Sequence, residues 1–484
     1  MSALDRLGLR DRMVKVADAT SYESFLAAAA DVEEASGAST WRDGVDLPNV
    51  DVPLLVTHTE ELRRLRESRQ AERLVAALEE ALYRHQGELA DVRLYGTSVL
   101  GPPKVAERFW DEVEASIDLL SDTAATGLPP ALVVARFERA AHVFGRSALL
   151  LSGGASLGFF HIGVMRALFN QGLLPTVLSG SSMGAMVACG VAARNDDELR
   201  TLFGDLGTLR TDALRMLPPG EMRRQRSVYD PIQLRDVILH NNGDLTFGEA
   251  FARTGRIVNV SVSPTRERQK PRVLCYLNAC DVTLLSAALA SSAVPGAFPP
   301  AVLEQRGRDH VTRAYMGTET WIDGTFKGDV PKQRLARLHG VNHFIVSQVN
   351  PHVAPLGRIA QRQGVVPFLV DAAVSSVRVR AAHDLGLVRR ALAPTPLYKP
   401  LDLAHSLVDQ SYGGDIDIHP RFRARALMRT FANISRAELE AHVLEGERST
   451  WPLIARIKDQ TRVERGLARA IARLKSVDLG SSTT

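Results

Sequence analysis

The sequence predicts an α/β fold with a mainly parallel sheet, flanked by helical regions at both ends. Three observations carry this expectation. Short apolar runs alternate with helix-spaced segments from about residue 147 to residue 350. Apolar residues recur at three- and four-residue spacings before that stretch, and the helical spacing returns beyond about residue 355. A chain of 484 residues is too long for one core. Boundaries at 145 and 354 give a helical domain 1–145, an α/β domain 146–354 and a helical region 355–484.

In the first region, Leu62, Leu65, Leu74, Ala77, Leu78, Ala81 and Leu82 mark an amphipathic helix within 60–83. Arg63, Arg64, Arg66 and Arg69 crowd one end of it; a solvated face accounts for them, with an anionic surface partner as the alternative. GPPK at 101–104 and TGLPP at 126–130 interrupt the helical pattern.

The pattern changes near Ser147. ALLLSGG (148–154) suits a buried strand feeding a tight turn, HIGVMRALFNQGLL (161–174) a helix stopped at Gly172, and TVLSG (176–180) a second strand. MGAMVACGVAAR (183–194) is a helix of small and apolar residues, packed on both sides. Strand, helix, strand, helix with short links predicts parallel pairing with right-handed crossovers. RIVNVSVSP (256–264), VLCYL (273–277) and HFIVSQV (343–349) are further strands. Helical spacing resumes in 367–393 and again from Arg436 to Lys475.

Composition narrows the partners. Apolar residues make up 45% and charged residues 24%, as in an ordinary globular protein. A net charge of only +4 gives no argument for nucleic acid, and none is expected as a partner. Residues 355–484 carry 20 Arg and Lys against 13 Asp and Glu, an asymmetry that suits an anionic lipid surface or an ordinary basic tail. The charged N-terminus has no apolar core of a signal peptide, and no run reaches the length of a membrane span. An intracellular, cytoplasmic protein with at most peripheral membrane contact is expected. Cys189, Cys275 and Cys280 lack metal or disulfide spacing and read as buried free thiols.

The chemistry concentrates in LSGSSMGAM (178–186). Ser182 stands at the centre of a Gly-x-Ser-x-Gly frame between a strand and a helix, the nucleophile elbow. Gly180 and Gly184 remove side chains that would collide there, and the helix from Met183 points its positive end at the serine. Ser181 is the neighbour that shapes the turn. SGGASLG (152–158) follows another strand, and its glycines allow consecutive N–H groups to cradle an oxyanion. A phosphate loop fails, because Phe159 and Phe160 follow Gly158 where lysine is required; a dinucleotide loop fails on spacing. The base is open between two arrangements. Asp323, with Gly324 allowing a sharp turn in WIDGTFKGDVP, accepts the serine proton directly, or it works through a histidine such as His343. His161, one turn into its helix, reads as structural.

Together these segments resemble the patatin-like acyl hydrolases, which join a glycine-rich oxyanion loop, a Gly-x-Ser-x-Gly serine and a later Asp-Gly-Gly/Ala aspartate. AHVFGRSALLLSGGASLGFFHIGV, GDLTFGEAFARTGRIVNVSVSP, SSAVPGAFPP, VNHFIVSQVNPH and GERSTWPLIARI narrow the resemblance to the triacylglycerol lipase branch of plant oil bodies and yeast lipid droplets, over roughly residues 20–460. It implies a three-layer α/β/α sandwich preceded by a helical lipase-associated domain. It further implies Ser182 as nucleophile, Asp323 as base of a Ser–Asp dyad turning at Gly324, and Gly153, Gly154 and Ala155 as oxyanion donors. No metal or other cofactor is needed. The implied substrate is a long-chain acylglycerol ester met at a membrane or lipid-droplet surface. A phospholipase A, lysophospholipase or acyltransferase with the same dyad is the alternative, and a catalytically silent lipid-binding scaffold is the alternative outside enzymes. Two positions depart from the family: Leu157 replaces an Arg or Lys common in the loop, which favours neutral acylglycerols, and Thr325 ends the Asp-Gly motif. Pro295, Pro299 and Pro300 read as stiffening a loop packed near the site.

Overall fold

The computed structural model describes residues 3–44, 47, 50–84, 86–266, 269–350, 413–421 and 429–481. The expected helix within 367–393 lies outside them. Contacts divide the chain into two units. The first comprises Met1–Ser147, Gly340–Asn342 and Thr450–Thr484; the second comprises Ala148–His339 and His343–Ser449.

The first unit is helical, and its core shows why. Leu55, Leu62, Leu65, Leu74, Leu78, Phe109, Val113, Ile117, Phe137 and Phe144 form one buried cluster. Val463, Leu467 and Leu474 of the last helix, Arg462–Ser481, complete that cluster, so the end of the chain packs with its beginning. The helix read within 60–83 is two helices, Val52–Glu67 and Ala71–Ala81. Arg69 breaks them apart at φ 54°, a turn with no glycine or proline to announce it. The arginine cluster is not a purely solvated face. Arg66 donates to the buried Glu112 at 2.5 Å and Arg63 lies 3.5 Å from it, while Arg64 pairs with Glu61 one turn away.

The second unit is built on a seven-stranded sheet. Its strands are β1 (Arg146–Leu151), β2 (Val177–Gly180), β3 (Ile257–Pro264), β4 (Arg272–Leu274), β7 (Trp321–Asp323), β8 (Val341–Ser347) and β9 (Ile416–Ile418). A separate hairpin pairs β5 (Leu303–Arg306) with β6 (Thr312–Tyr315). The order is β4-β3-β2-β1-β8-β9, with β7 also on β3. β1–β2, β2–β3 and β8–β9 are parallel; β4 and β7 run antiparallel to β3. Every residue of β2 and β3 is buried on both faces, as expected where helices cover the two sides of a mainly parallel sheet.

Small residues decide the closest approaches. The helix Phe160–Asn170 crosses Arg436–Thr450 at paired glycines: a Cβ on Gly163 would strike the Val443 carbonyl, and one on Gly446 the Phe160 carbonyl. A two-pronged ion pair, Arg166 to Glu447 at 2.7 and 2.5 Å, locks the crossing. Cys189 and Cys275 are buried, but Cys280 is exposed, because the VLCYL strand stops at Leu274 and the chain leaves the sheet before it. Among the described residues, no helix is long and apolar enough to cross a membrane.

Candidate active site

Strand β2 ends at Gly180, and the chain turns sharply into the helix Met183–Ala192. Ser182 holds that turn at φ 52° and ψ −125°, a conformation that costs a residue bearing a side chain about 1–3 kcal/mol. The flanking glycines are packing requirements. A Cβ on Gly180 would strike the main chain of Gly184, and a Cβ on Gly184 would strike the Leu151 and Ser152 carbonyls. The Ser182 N–H donates to Ser291 Oγ at 2.9 Å, and that hydroxyl donates to the Ser261 carbonyl at 2.7 Å. Ser181 faces elsewhere: its hydroxyl donates to the main-chain carbonyl of Asp329 at 3.0 Å.

Strand register brings Asp323 to this turn. Val260 pairs with Gly180 on one side and Leu274 on the other, and Val262 pairs with Arg272 and Asp323. Because Arg272 and Leu274 share β4, Asp323 stands on the β2 side, at the rung that β2 vacates by turning away. The Ser182 side chain lies close enough to the Asp323 carboxylate to favour the ionised form. The carboxylate accepts the Thr325 N–H at 2.8 Å, and the Asp323 N–H donates to Ala293 at 3.1 Å. Ala293 begins the proline-rich loop, so that loop packs beside the site. Gly324 passes so near Ser261 that any Cβ would strike its main chain. Burial pushes the Asp323 carboxyl up to about 6, against the lowering effect of the Ser182 and Thr325 hydrogen bonds. A carboxylate so placed is a stronger base than a solvated one.

The glycine-rich loop is pinned at both ends. Gly153 donates its N–H to Asp329 Oδ1 at 2.9 Å. At the other end, Ser156 donates its N–H to the Thr430 carbonyl at 3.1 Å and its hydroxyl to the same carbonyl at 2.6 Å. Between them the N–H groups of Gly154 and Ala155 take no partner among the described residues, and Ala155 sits at φ 47°. Of the three N–H groups expected to face an oxyanion, one is therefore engaged and two are available.

Asp329, six residues after Asp323 in the same short segment, carries no motif that marks it in the sequence. It is buried, accepts Asn350 Nδ2 at 2.6 Å and is pushed up to about 7, chiefly by burial and further by the charge of Asp323. Ser291, which orients the elbow, gave no signal beyond being one serine among several.

His161 belongs to the framework. Its Nε2 donates to the Ser152 carbonyl at 3.0 Å, which leaves Nδ1 to accept the Ser347 hydroxyl at 2.7 Å. Burial depresses its pKa to about 4, so it stays neutral. His343 is buried in β8.

Beside the elbow, an apolar cavity runs along the helix Met183–Ala192, lined by Phe159, Ile162, Met183, Met186, Gly190 and Phe203 among others. Leu157 is buried in the loop, so no cation occupies its position.

A family model described as patatin-like phospholipase matches residues 149–333, and a domain of unknown function, DUF3336, matches residues 6–141. Triacylglycerol lipase ptl3 of Schizosaccharomyces pombe is 33% identical over 94% of this chain and 96% of its own length. Triacylglycerol lipase 4 of Saccharomyces cerevisiae is 27% identical, over 94% of this chain and 52% of its own. Triacylglycerol lipase SDP1L of Arabidopsis thaliana is 29% identical, over 93% and 58%. The chain thus spans nearly all of the first relative and little more than half of the other two.

Proposed function

This chain belongs to the patatin-like phospholipase family, and from that membership we propose that it is a serine lipid acyl hydrolase of long-chain acylglycerol esters, working through Ser182 and Asp323. The observation that carries the proposal is the strand register that sets the buried Asp323 carboxylate beside the turn bearing Ser182. Asp323 takes the proton as Ser182 Oγ attacks the ester carbonyl. Negative charge on the carbonyl oxygen meets the free N–H groups of Gly154 and Ala155, with the first turn of the helix at Met183 adding its positive end. Gly153 anchors the loop through Asp329. Collapse of this tetrahedral species expels the glyceride alcohol, which leaves with the proton held on Asp323. Water then repeats the sequence on the acyl-serine, Asp323 accepting its proton, and the fatty acid departs.

The apolar cavity beside Met183 suits the acyl chain. The buried Leu157 supplies no charge to an anionic head group, in favour of neutral acylglycerols. Cytoplasmic protein meeting its substrate at a membrane or lipid-droplet surface, without a metal or organic cofactor, completes the reading. Purified protein offered triolein and phosphatidylcholine emulsions tests it: fatty acid released mainly from triolein, and none by Ser182→Ala, is the expected result. Preferential attack on phosphatidylcholine would overturn the substrate assignment.

A further inference from the structure

Three stretches of the second unit that carry no catalytic side chain come together at its surface. Met216 bridges to Tyr229, and the Leu217 N–H donates to Val228 at 3.0 Å. Val228 and Tyr229 in turn donate to the Gly296 and Ala297 carbonyls at 3.2 and 3.1 Å. The Tyr229 hydroxyl donates to the Phe431 carbonyl at 3.2 Å, and its ring lies 5.8 Å from Phe298. The side chains this arrangement presents to solvent are large and apolar: Met216 is 64% exposed, Ile232 65%, Phe431 50% and Val228 37%. Single exposed apolar residues are ordinary, but a cluster marks an interaction site.

The border of this cluster is basic. The short helix Pro219–Gln225 lies between Met216 and Val228 in the chain, and it exposes Arg223 and Arg224, with Arg226 just beyond. These three arginines form no ion pair among the described residues, and Glu221 is the acidic residue beside them. Arg215 is already committed to Asp230.

The cluster also adjoins both halves of the site. Ser156, next to the oxyanion loop, is bonded to the Thr430 carbonyl, one residue before Phe431. Asp323 is bonded to Ala293, at the start of the loop that holds Val228 and Tyr229.

We propose that Met216, Val228, Ile232 and Phe431, with Arg223, Arg224 and Arg226, form the docking surface by which this protein settles on a lipid surface bearing anionic head groups. The apolar side chains enter the acyl layer and the arginines meet the head groups. This inference rests on the acyl hydrolase reading, since docking there brings the ester to the mouth of the Ser182 site.

The test is co-sedimentation of the full chain with phosphatidylcholine vesicles, with and without phosphatidylglycerol, beside hydrolysis of a dissolved short-chain p-nitrophenyl ester. Wild type binds, and more strongly with phosphatidylglycerol. Combining Met216→Ser, Ile232→Ser and Phe431→Ser weakens binding about tenfold or more. Arg223→Glu with Arg224→Glu removes the gain from phosphatidylglycerol. Both variants hydrolyse the dissolved ester within about twofold of wild type, as surface substitutions should. Wild type that fails to sediment, or variants that sediment equally well, would overturn the proposal. So would a wild-type dimer dispersed by the triple substitution, which would assign the surface to a second copy of the chain. Failure of wild type to hydrolyse the dissolved ester would instead strike the Ser182–Asp323 reading, leaving the vesicle result to be judged separately.

Discussion

Asp329 accepts the Gly153 N–H at 2.9 Å, tying the first glycine of the glycine-rich loop to the turn that follows Asp323. The same residue receives the Ser181 hydroxyl on its main-chain carbonyl at 3.0 Å and Asn350 on its carboxylate at 2.6 Å. One buried residue thus joins the loop and the strand end through its carboxylate and the elbow through its main-chain carbonyl. Asp329→Ala should lower kcat about 10²-fold with little change in KM, the scale of a lost oxyanion contact. Asp329→Asn, which still accepts from Gly153, should recover most of it. Steady-state kinetics on a dissolved ester checks this; wild-type kcat in Asp329→Ala would show that the tie is dispensable.

Asp323 gives the activity a pH dependence. The base must be ionised, so kcat/KM should rise with pH through about 6, where its folded-state carboxyl titrates. The stability effect has the opposite sense. Folding raises this pKa above the ordinary carboxylate value, so the buried charge destabilises the fold progressively as pH climbs from about 4 through 6. Asp323→Asn should therefore abolish hydrolysis yet stabilise the protein at pH 8 by about 1–3 kcal/mol, with no gain at pH 4. Urea unfolding at the two pH values measures the difference, and an inactive variant without a pH-dependent gain would count against a strained, buried base.

Both nitrogens of His161 are spent on Ser152 and Ser347. His161→Gln should cost about 1–3 kcal/mol of stability by disturbing buried polar groups while leaving hydrolysis clearly measurable. His343→Gln should behave alike. A folded histidine variant with activity as low as Ser182→Ala would restore a triad.

Gly184 has no room for a methyl group, since its Cβ would meet the Leu151 and Ser152 carbonyls. Gly184→Ala should destabilise by about 1–3 kcal/mol and slow acylation, because the turn bearing Ser182 must move to relieve the contact. The labelling rate with a fluorophosphonate reads the effect directly; an unchanged rate would mean the turn is looser than its packing implies.

The readable parts of this site were local ones. The frame around Ser182 lies within five residues, and the strands and helix that hold it carry their own apolar patterns. The helix break at Arg69 is invisible in the sequence, because a positive φ at arginine leaves no trace in composition. Asp323 was nameable as a candidate, but its place opposite Val262 depends on β7 pairing with β3 across about sixty intervening residues, information that no local spacing holds. The role of Asp329 is illegible for the same reason: its partners Gly153 and Asn350 come from separate parts of the chain. Cys280 reads as buried from its apolar neighbourhood, but the strand there ends at Leu274 and the chain has left the sheet before Cys280.

The crossing at Gly163 and Gly446 bears on how this enzyme is divided for practical use. The family match ends at residue 333. A fragment cut there would lose β8, leaving β1 as a raw edge with unpaired N–H and carbonyl groups, a template for aggregation. It would also lose Thr430, which secures the far end of the oxyanion loop, and the helix that clamps the one following that loop. The smallest autonomous hydrolase is therefore not the stretch its family shares, and shortening or grafting the enzyme must carry along a segment nearly a hundred residues downstream of that stretch.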